Sequence, residues 1–209
     1  MSERLKMTER DRAAAIERVK AATSILLPKN NNEEGATGWL RNEAGIDVPD
    51  FPGRRLTATS EGRTYRRLRD PEIADGVARG EGDVGFLGLD KFKELRPAGV
   101  AVGWVGDVPG CDFVLAAPVG SVEEVQEKLA AGESVKTVTS HETWLAELAM
   151  ERGWQLDIRE VSGATEAFAG LADMVADLRV SGRSLVDNGL EEFHILDSVH
   201  LGLIYPAEA

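Results

Sequence analysis

Short apolar runs alternate with stretches of helical period along most of the chain. Ala13, Ala14, Ile16, Val19 and Ala22 fall on one face of a helix predicted over residues 3–22. SILLPK predicts a short buried strand ending at Pro28. NNNEEGATG is polar and reads as a loop or a helix start, and WLRNEAGI as a helix closed by Gly45. RRLTAT predicts a strand. Residues 62–95 predict a loop, a helix, the short strand DVGFLG and a second helix.

The second half is more regular. Strands are predicted at 100–105 and at CDFVLAAP. SVEEVQEKLAAG predicts a helix, with Ser121 and Glu124 spaced as a capping box. VKTVTS, a helix ending at Gly153, QLDIREVSG, the short helix EAFAGL and ADMVADL form a predicted βαβαβ unit. FHILDSVHLGLIYP closes the chain with two strand-like segments.

This alternation predicts an α/β protein with mixed, mostly parallel sheets. Two lobes with a ligand cleft between them, at the carboxyl ends of the strands, are the expected architecture. The expected division is residues 1–107 plus 186–209 in the first lobe and 108–185 in the second.

Composition narrows the function. The chain has 209 residues and a formal net charge of −12, which disfavours bulk binding to nucleic acid. No apolar run approaches the roughly 18 residues a membrane span requires. The N-terminal stretch is charged and has no apolar core, so a cytoplasmic location is expected. The single cysteine, Cys111, excludes an intramolecular disulfide and a CxxC zinc site.

The stretch GLADMVADLRVSGRSLVDNGL carries the candidate chemistry. A predicted strand enters a turn, VSGRS, followed by a helix start. Such a turn aims several backbone N–H groups one way, and the helix dipole favours an anion there. Gly182 can adopt backbone angles closed to other residues. Ser181 and Ser184 offer hydroxyls, and Arg183 offers a charge that could equally face solvent. Asp177 stands near the end of the strand, where a carboxylate can accept hydrogen bonds from ribose hydroxyls. The alternative is a plain strand-to-helix turn that holds nothing. His141 reads as a surface residue at a helix start or an acid/base, and the arginines of 63–69 as a solvated face or a phosphate site.

The same stretch resembles the phosphoribosyl-diphosphate (PRPP) loop of the ATP phosphoribosyltransferase family, GLADxIxDxVxTGxTLxxNGL, with serines at 181 and 184 in place of threonines. Further segments agree in order from about residue 24 to 206. ILLPK ends in Lys29. RLRDPEIADGVARGEGDVGFLGLDKFKEL carries Arg67, Arg69, Asp70, Asp83, Gly85, Gly88 and Asp90. SGATEAF places Glu166.

The resemblance implies two lobes like those of type II periplasmic binding proteins. It implies transfer of phosphoribose from PRPP to a ring nitrogen of ATP with loss of pyrophosphate, the first step of histidine biosynthesis. It implies Mg²⁺ as cofactor, with no direct protein ligand assigned. It implies a homo-oligomer, and the short length implies a regulatory subunit related to histidyl-tRNA synthetase. Asp177, Lys29 and Glu166 take the catalytic positions. Asp177, Val180, Ser181, Gly182, Arg183, Ser184 and Leu185 take the PRPP positions, and Arg67, Arg69, Asp90 and Glu166 those of the acceptor.

The departures cluster in loops expected to face substrate. PKGRL of the family reads PKNNNEEG, which adds Glu33 and Glu34, and GCR reads GCD, so Asp112 replaces a cation. A divergent relative with another nucleobase or azole as acceptor, or a non-catalytic ligand-binding subunit, is the alternative reading.

Overall fold

The computed structural model describes residues 8–106 and 110–207. Residues 3–7 of the predicted first helix therefore lie outside the described residues. The chain divides into two compact units, Met1–Val108 with His200–Ala209, and Pro109–Val199.

The first unit is a six-stranded sheet of β1 (Ser24–Pro28), β2 (Thr57–Ser60), β3 (Arg63–Leu68), β4 (Val84–Gly88), β5 (Val100–Val105) and β11 (Leu201–Pro206), in the order β2-β3-β1-β4-β11-β5. Strands β3, β1 and β4 run parallel at its centre. Successive side chains of β1 point to opposite faces. Ile25 and Leu27 pack with α1 (Glu9–Ala21) and α2 (Glu33–Ala44), while Leu26 packs with Ile73 and Val77 of α3 (Asp70–Ala78). Both faces are thus covered, and this explains the continuous apolar run of β1. The helix α4 (Leu89–Leu95) follows β4 directly.

The second unit is a five-stranded sheet of β6 (Cys111–Pro118), β7 (Ser134–Thr139), β8 (Gln155–Glu160), β9 (Met174–Arg179) and β10 (Leu190–Val199), in the order β10-β6-β9-β7-β8. The predicted βαβαβ unit is present as parallel β9-β7-β8. Its connections are α6 (Glu142–Arg152) and a single 3-10 turn, Thr165–Phe168. Phe113, Leu115, Trp144, Leu145 and Met174 build the core under α5 (Val122–Ala131) and α6. A smaller cluster, Val114, Ala116, Val138, Val175, Leu185 and Leu190, fills the opposite face beside α7 (Arg183–Asp187).

Four expectations change. Residues 63–68 form strand β3 rather than a loop. Glu61 and Gly62 both have positive φ (49° and 76°) and turn β2 into it as a tight hairpin. Antiparallel pairs are also more numerous than the βα alternation suggested, because this hairpin and the strands β6, β10, β5 and β11 complete sheets that are parallel only over β3-β1-β4 and β9-β7-β8. The lobe boundary expected at 186 falls at Val199/His200, since β10 pairs along β6 and only β11 returns to the first sheet. Ser121 precedes α5 without a side-chain cap bond, whereas Thr8 and Asp11 form a capping box on α1. Among the described residues, no helix is long and apolar enough to cross a membrane.

Candidate functional site

In the second unit the candidate loop lies at the carboxyl end of β9. The strand stops at Arg179, and Gly182 takes a left-handed conformation (φ 74°) immediately before α7. A Cβ there would be strained by that φ alone, which explains the glycine. Val180, Ser181 and Ser184 are exposed around it, and Leu185 is buried and anchors α7 to the sheet. Arg183 is exposed and lies 3.6 Å from Asp187. The expected loop is therefore present as a strand, a left-handed glycine and a short helix.

The 3-10 turn Thr165–Phe168 lies against this end of the sheet. Asp177 shares a face of β9 with Val175, the face the turn covers. The buried Thr165 hydroxyl donates to Asp177 Oδ2, and Asp177 Oδ1 accepts from the Leu178 N–H at 2.7 Å. Ser184 Oγ donates to Glu166 Oε1. The turn thereby holds Asp177 through Thr165 and joins the loop through Glu166. Thr165 escaped the sequence reading, because nothing in GATEAF marks it as the partner of a residue on another element. An ionised carboxylate offers about four acceptor positions. Asp177 and Glu166 thus keep capacity for ribose hydroxyls, water or a metal.

In the first unit, pairing of Leu27 with Arg67 and Pro28 with Leu68 brings the carboxyl ends of β1 and β3 together. β4 ends beside them through its parallel pairing with β1. Lys29, Arg67, Arg69, Asp70 and Asp90 are therefore neighbours in the fold. Lys29 and Arg69 are exposed, and Arg69 pairs with Glu72 at 2.5 Å. Arg67 pairs with Glu33 at 2.5 Å and stacks over the Phe51 ring at 5.0 Å. Gly88 matters here, because a Cβ would meet Asp90 Oδ1 at 2.3 Å and Asn32 Nδ2 at 3.2 Å. Only glycine lets these two side chains close over the end of β4.

Asp83, also part of the matched motif, lies at the other end of the sheet. It accepts from the N–H groups of Thr23 and Ser24 and from the Thr23 hydroxyl at 2.7–3.0 Å. It fastens the start of β1 and faces no strand carboxyl end. His141 is buried rather than superficial. It packs near Phe113 and Trp144, its N–H donates to Thr139 Oγ1, and its ring nitrogen lies 3.1 Å from Ser140 Oγ. Asp112 faces Arg179 across the β6–β9 ladder and pairs with it at 3.0 Å. Glu192 binds the same guanidinium at 2.9 Å. The cation absent at 112 is thus met by one on the adjacent strand.

Asp70 is the most perturbed group at these strand ends. Burial, and then the nearby Asp90 carboxylate, push its pKa up to about 6, against the opposing pull of Lys91 and the hydrogen bond from Asn30. The folded chain therefore binds this proton more tightly than the unfolded chain. The penalty is absent below about pH 4, grows as pH rises toward 6, and is complete above it. Asp70→Asn is expected to stabilise the protein by about 2 kcal/mol at pH 8, less than the full shift would give because solvent screens a half-buried group, and to have little effect at pH 4. Urea denaturation at the two pH values measures this.

Comparison with known proteins settles the family. A family profile described as ATP phosphoribosyltransferase matches residues 69–208. The curated ATP phosphoribosyltransferase of Rubrobacter xylanophilus is 30% identical over 179 residues, covering 84% of this chain and 81% of that protein. The chain belongs to the ATP phosphoribosyltransferase family. The Moorella thermoacetica enzyme of the same name is 33% identical over 180 residues, 81% of this chain and 77% of that one. Among solved structures, the ATP phosphoribosyl transferase HisG:HisZ complex from Thermotoga maritima aligns with a TM-score of 0.68 at 20% identity, over 88% of this chain and 87% of that one. The periplasmic VFT2 domain of BvgS from Bordetella pertussis aligns at 0.55 and 11% identity, over 95% and 86%. These two likenesses establish the fold, an α/β architecture of two units shared with a periplasmic VFT2 domain. Family membership makes the chain a phosphoribosyltransferase. The profile match begins at Arg69, after the divergent PKNNNEEG loop.

Proposed function

We propose that the chain transfers the 5-phosphoribosyl group of PRPP to a ring nitrogen of the adenine of ATP, releasing pyrophosphate, as the opening step of histidine biosynthesis. The observation that carries this reading is the β9–Gly182–α7 loop, with Asp177 held by Thr165 at its base.

The 5′-phosphate is assigned to the backbone N–H groups of 180–185 and the hydroxyls of Ser181 and Ser184. To reach it, the Ser184 hydroxyl turns away from Glu166. The ribose hydroxyls are assigned to Asp177, whose orientation Thr165 and the Leu178 N–H fix in advance. Lys29, Arg67 of β3 and Arg69 at the N-cap of α3 supply positive charge for phosphates. Asp90 and Glu166 are assigned to the acceptor. Bond breaking at the anomeric carbon develops positive charge on the sugar and negative charge on the leaving pyrophosphate. Positioning and charge neutralisation should then account for most of the catalysis. The adenine nitrogen attacks with its own lone pair, so no strong base is required.

Mg²⁺ fits this arrangement. It usually keeps several waters and binds through one or two carboxylates together with substrate phosphates. Asp177 and Glu166 are the carboxylates with capacity to meet it. Bound there with the diphosphate, Mg²⁺ would offset the charge of the leaving group. A regulatory subunit, a homo-oligomeric state and a cytoplasmic setting complete the reading, and the HisG:HisZ complex from Thermotoga maritima supports a partner subunit. Pyrophosphate release that requires both PRPP and ATP is its test.

A further inference from the structure

Two of the cations at the strand ends of the first unit, Arg67 and Arg69, are engaged by the protein's own carboxylates. Glu33 opens α2, where the helix dipole favours an acidic residue, and its carboxylate reaches Arg67 on β3 at 2.5 Å. Glu72 does the same to Arg69 from the first turn of α3. The two pairs are not equivalent. The side chains of Arg67 and Glu33 are 28% and 24% exposed, against 80% and 42% for Arg69 and Glu72. Water and salt screen the second pair and leave the first largely intact. Arg67 is further confined by the Phe51 ring, and its Nε is buried with no hydrogen-bond partner. That donor is unmatched, whereas the charge is already matched.

We propose that Glu33 is an affinity-determining residue for the nucleotide: its carboxylate occupies Arg67 in place of a substrate phosphate, and ATP binds by displacing it. This rests on the assignment of Arg67 to the acceptor made above. It gives the divergent PKNNNEEG loop a defined consequence. The loop does not remove the cationic site at the end of β3. It fills that site with an internal anion, so that only a polyanionic ligand competes well. PRPP, assigned to the second unit, is unaffected.

The test compares Glu33→Gln with Glu34→Gln. Glu34 lies in the same helix turn but is exposed and makes no ion pair with Arg67. Both changes remove one negative charge. Binding of ATP is measured by calorimetry without PRPP, and KM and kcat by pyrophosphate release. Glu33→Gln is expected to tighten ATP binding and lower its KM about tenfold, with kcat and the KM for PRPP unchanged, because a repulsive charge at short range is removed. Glu34→Gln is expected to change both by less than about twofold, as an exposed charge should. Equal effects of the two variants, or weaker ATP binding by Glu33→Gln, overturn the proposal while wild-type turnover with ATP still stands. If neither wild type nor variant binds ATP or releases pyrophosphate with it, the assignment of the acceptor falls as well.

Discussion

Asp177→Asn is expected to lower kcat/KM for PRPP by about a thousandfold while leaving the fold intact. A hydrogen bond to a charged group is worth about 1.5–3 kcal/mol, and Asp177 is assigned two from the ribose, so the loss corresponds to roughly 10²–10⁴ in rate. Asparagine has the same shape and can still accept from Thr165 through its oxygen. The amide nitrogen, however, replaces an acceptor with a donor where the sugar hydroxyls must donate. Steady-state pyrophosphate release at several PRPP concentrations measures the loss, and circular dichroism checks the fold. A loss below about tenfold would mean that Asp177 shapes the loop without touching the sugar.

Gly182→Val should be the next most damaging change. Gly182 sits at φ 74°, and its nearest neighbours to an added Cβ are Arg179 Cγ and Cδ at 3.7 Å. Space is therefore not the obstacle. The obstacle is the backbone, because a β-branched residue resists the left-handed region by about 1–2 kcal/mol. The loop is short and solvent-exposed, so it should relax by rotating its N–H groups away from their common focus. The KM for PRPP is expected to rise about a hundredfold, with thermal stability reduced only modestly. Gly182→Asn, which tolerates this region better, should recover a large part of the affinity. The ratio of the two variants separates backbone conformation from side-chain bulk.

Much of this was legible in the chain itself. The β9–turn–α7 unit follows from an apolar run, a glycine between two serines and a helical restart, and the structure builds it from those residues. Trp39, Trp104 and Trp144 are buried, with Trp144 stacked on Phe113 at 4.4 Å.

The parts that escaped depend on contacts distant in sequence. RTYRRL looked like a loop because three of its six residues are arginines. In the fold Tyr65 is buried, while Arg66 reaches Ser24 Oγ at 2.7 Å. His141 seemed a surface residue at a helix start, but Phe113, contributed by a strand of another part of the sheet, closes over it. The terminal segment read as two strands of one lobe. Its division at His200, whose Nδ1 lies 2.6 Å from the Gly106 carbonyl oxygen, is a tertiary event that no local period announces. The pairing of Glu33 with Arg67 is of the same kind. The loop sequence showed added negative charge, and only the fold shows which cation receives it.

The central claim is that the β9–Gly182–α7 loop serves a working phosphoribosyltransferase despite the altered first loop. The most direct test is pyrophosphate release from PRPP and Mg²⁺ with ATP as acceptor, run with and without a histidyl-tRNA-synthetase-like subunit and repeated with a panel of other nucleobases and azoles. The account predicts release that requires ATP and is lost in Asp177→Asn. Release only with a different acceptor, or none with any of them under either condition, would contradict it.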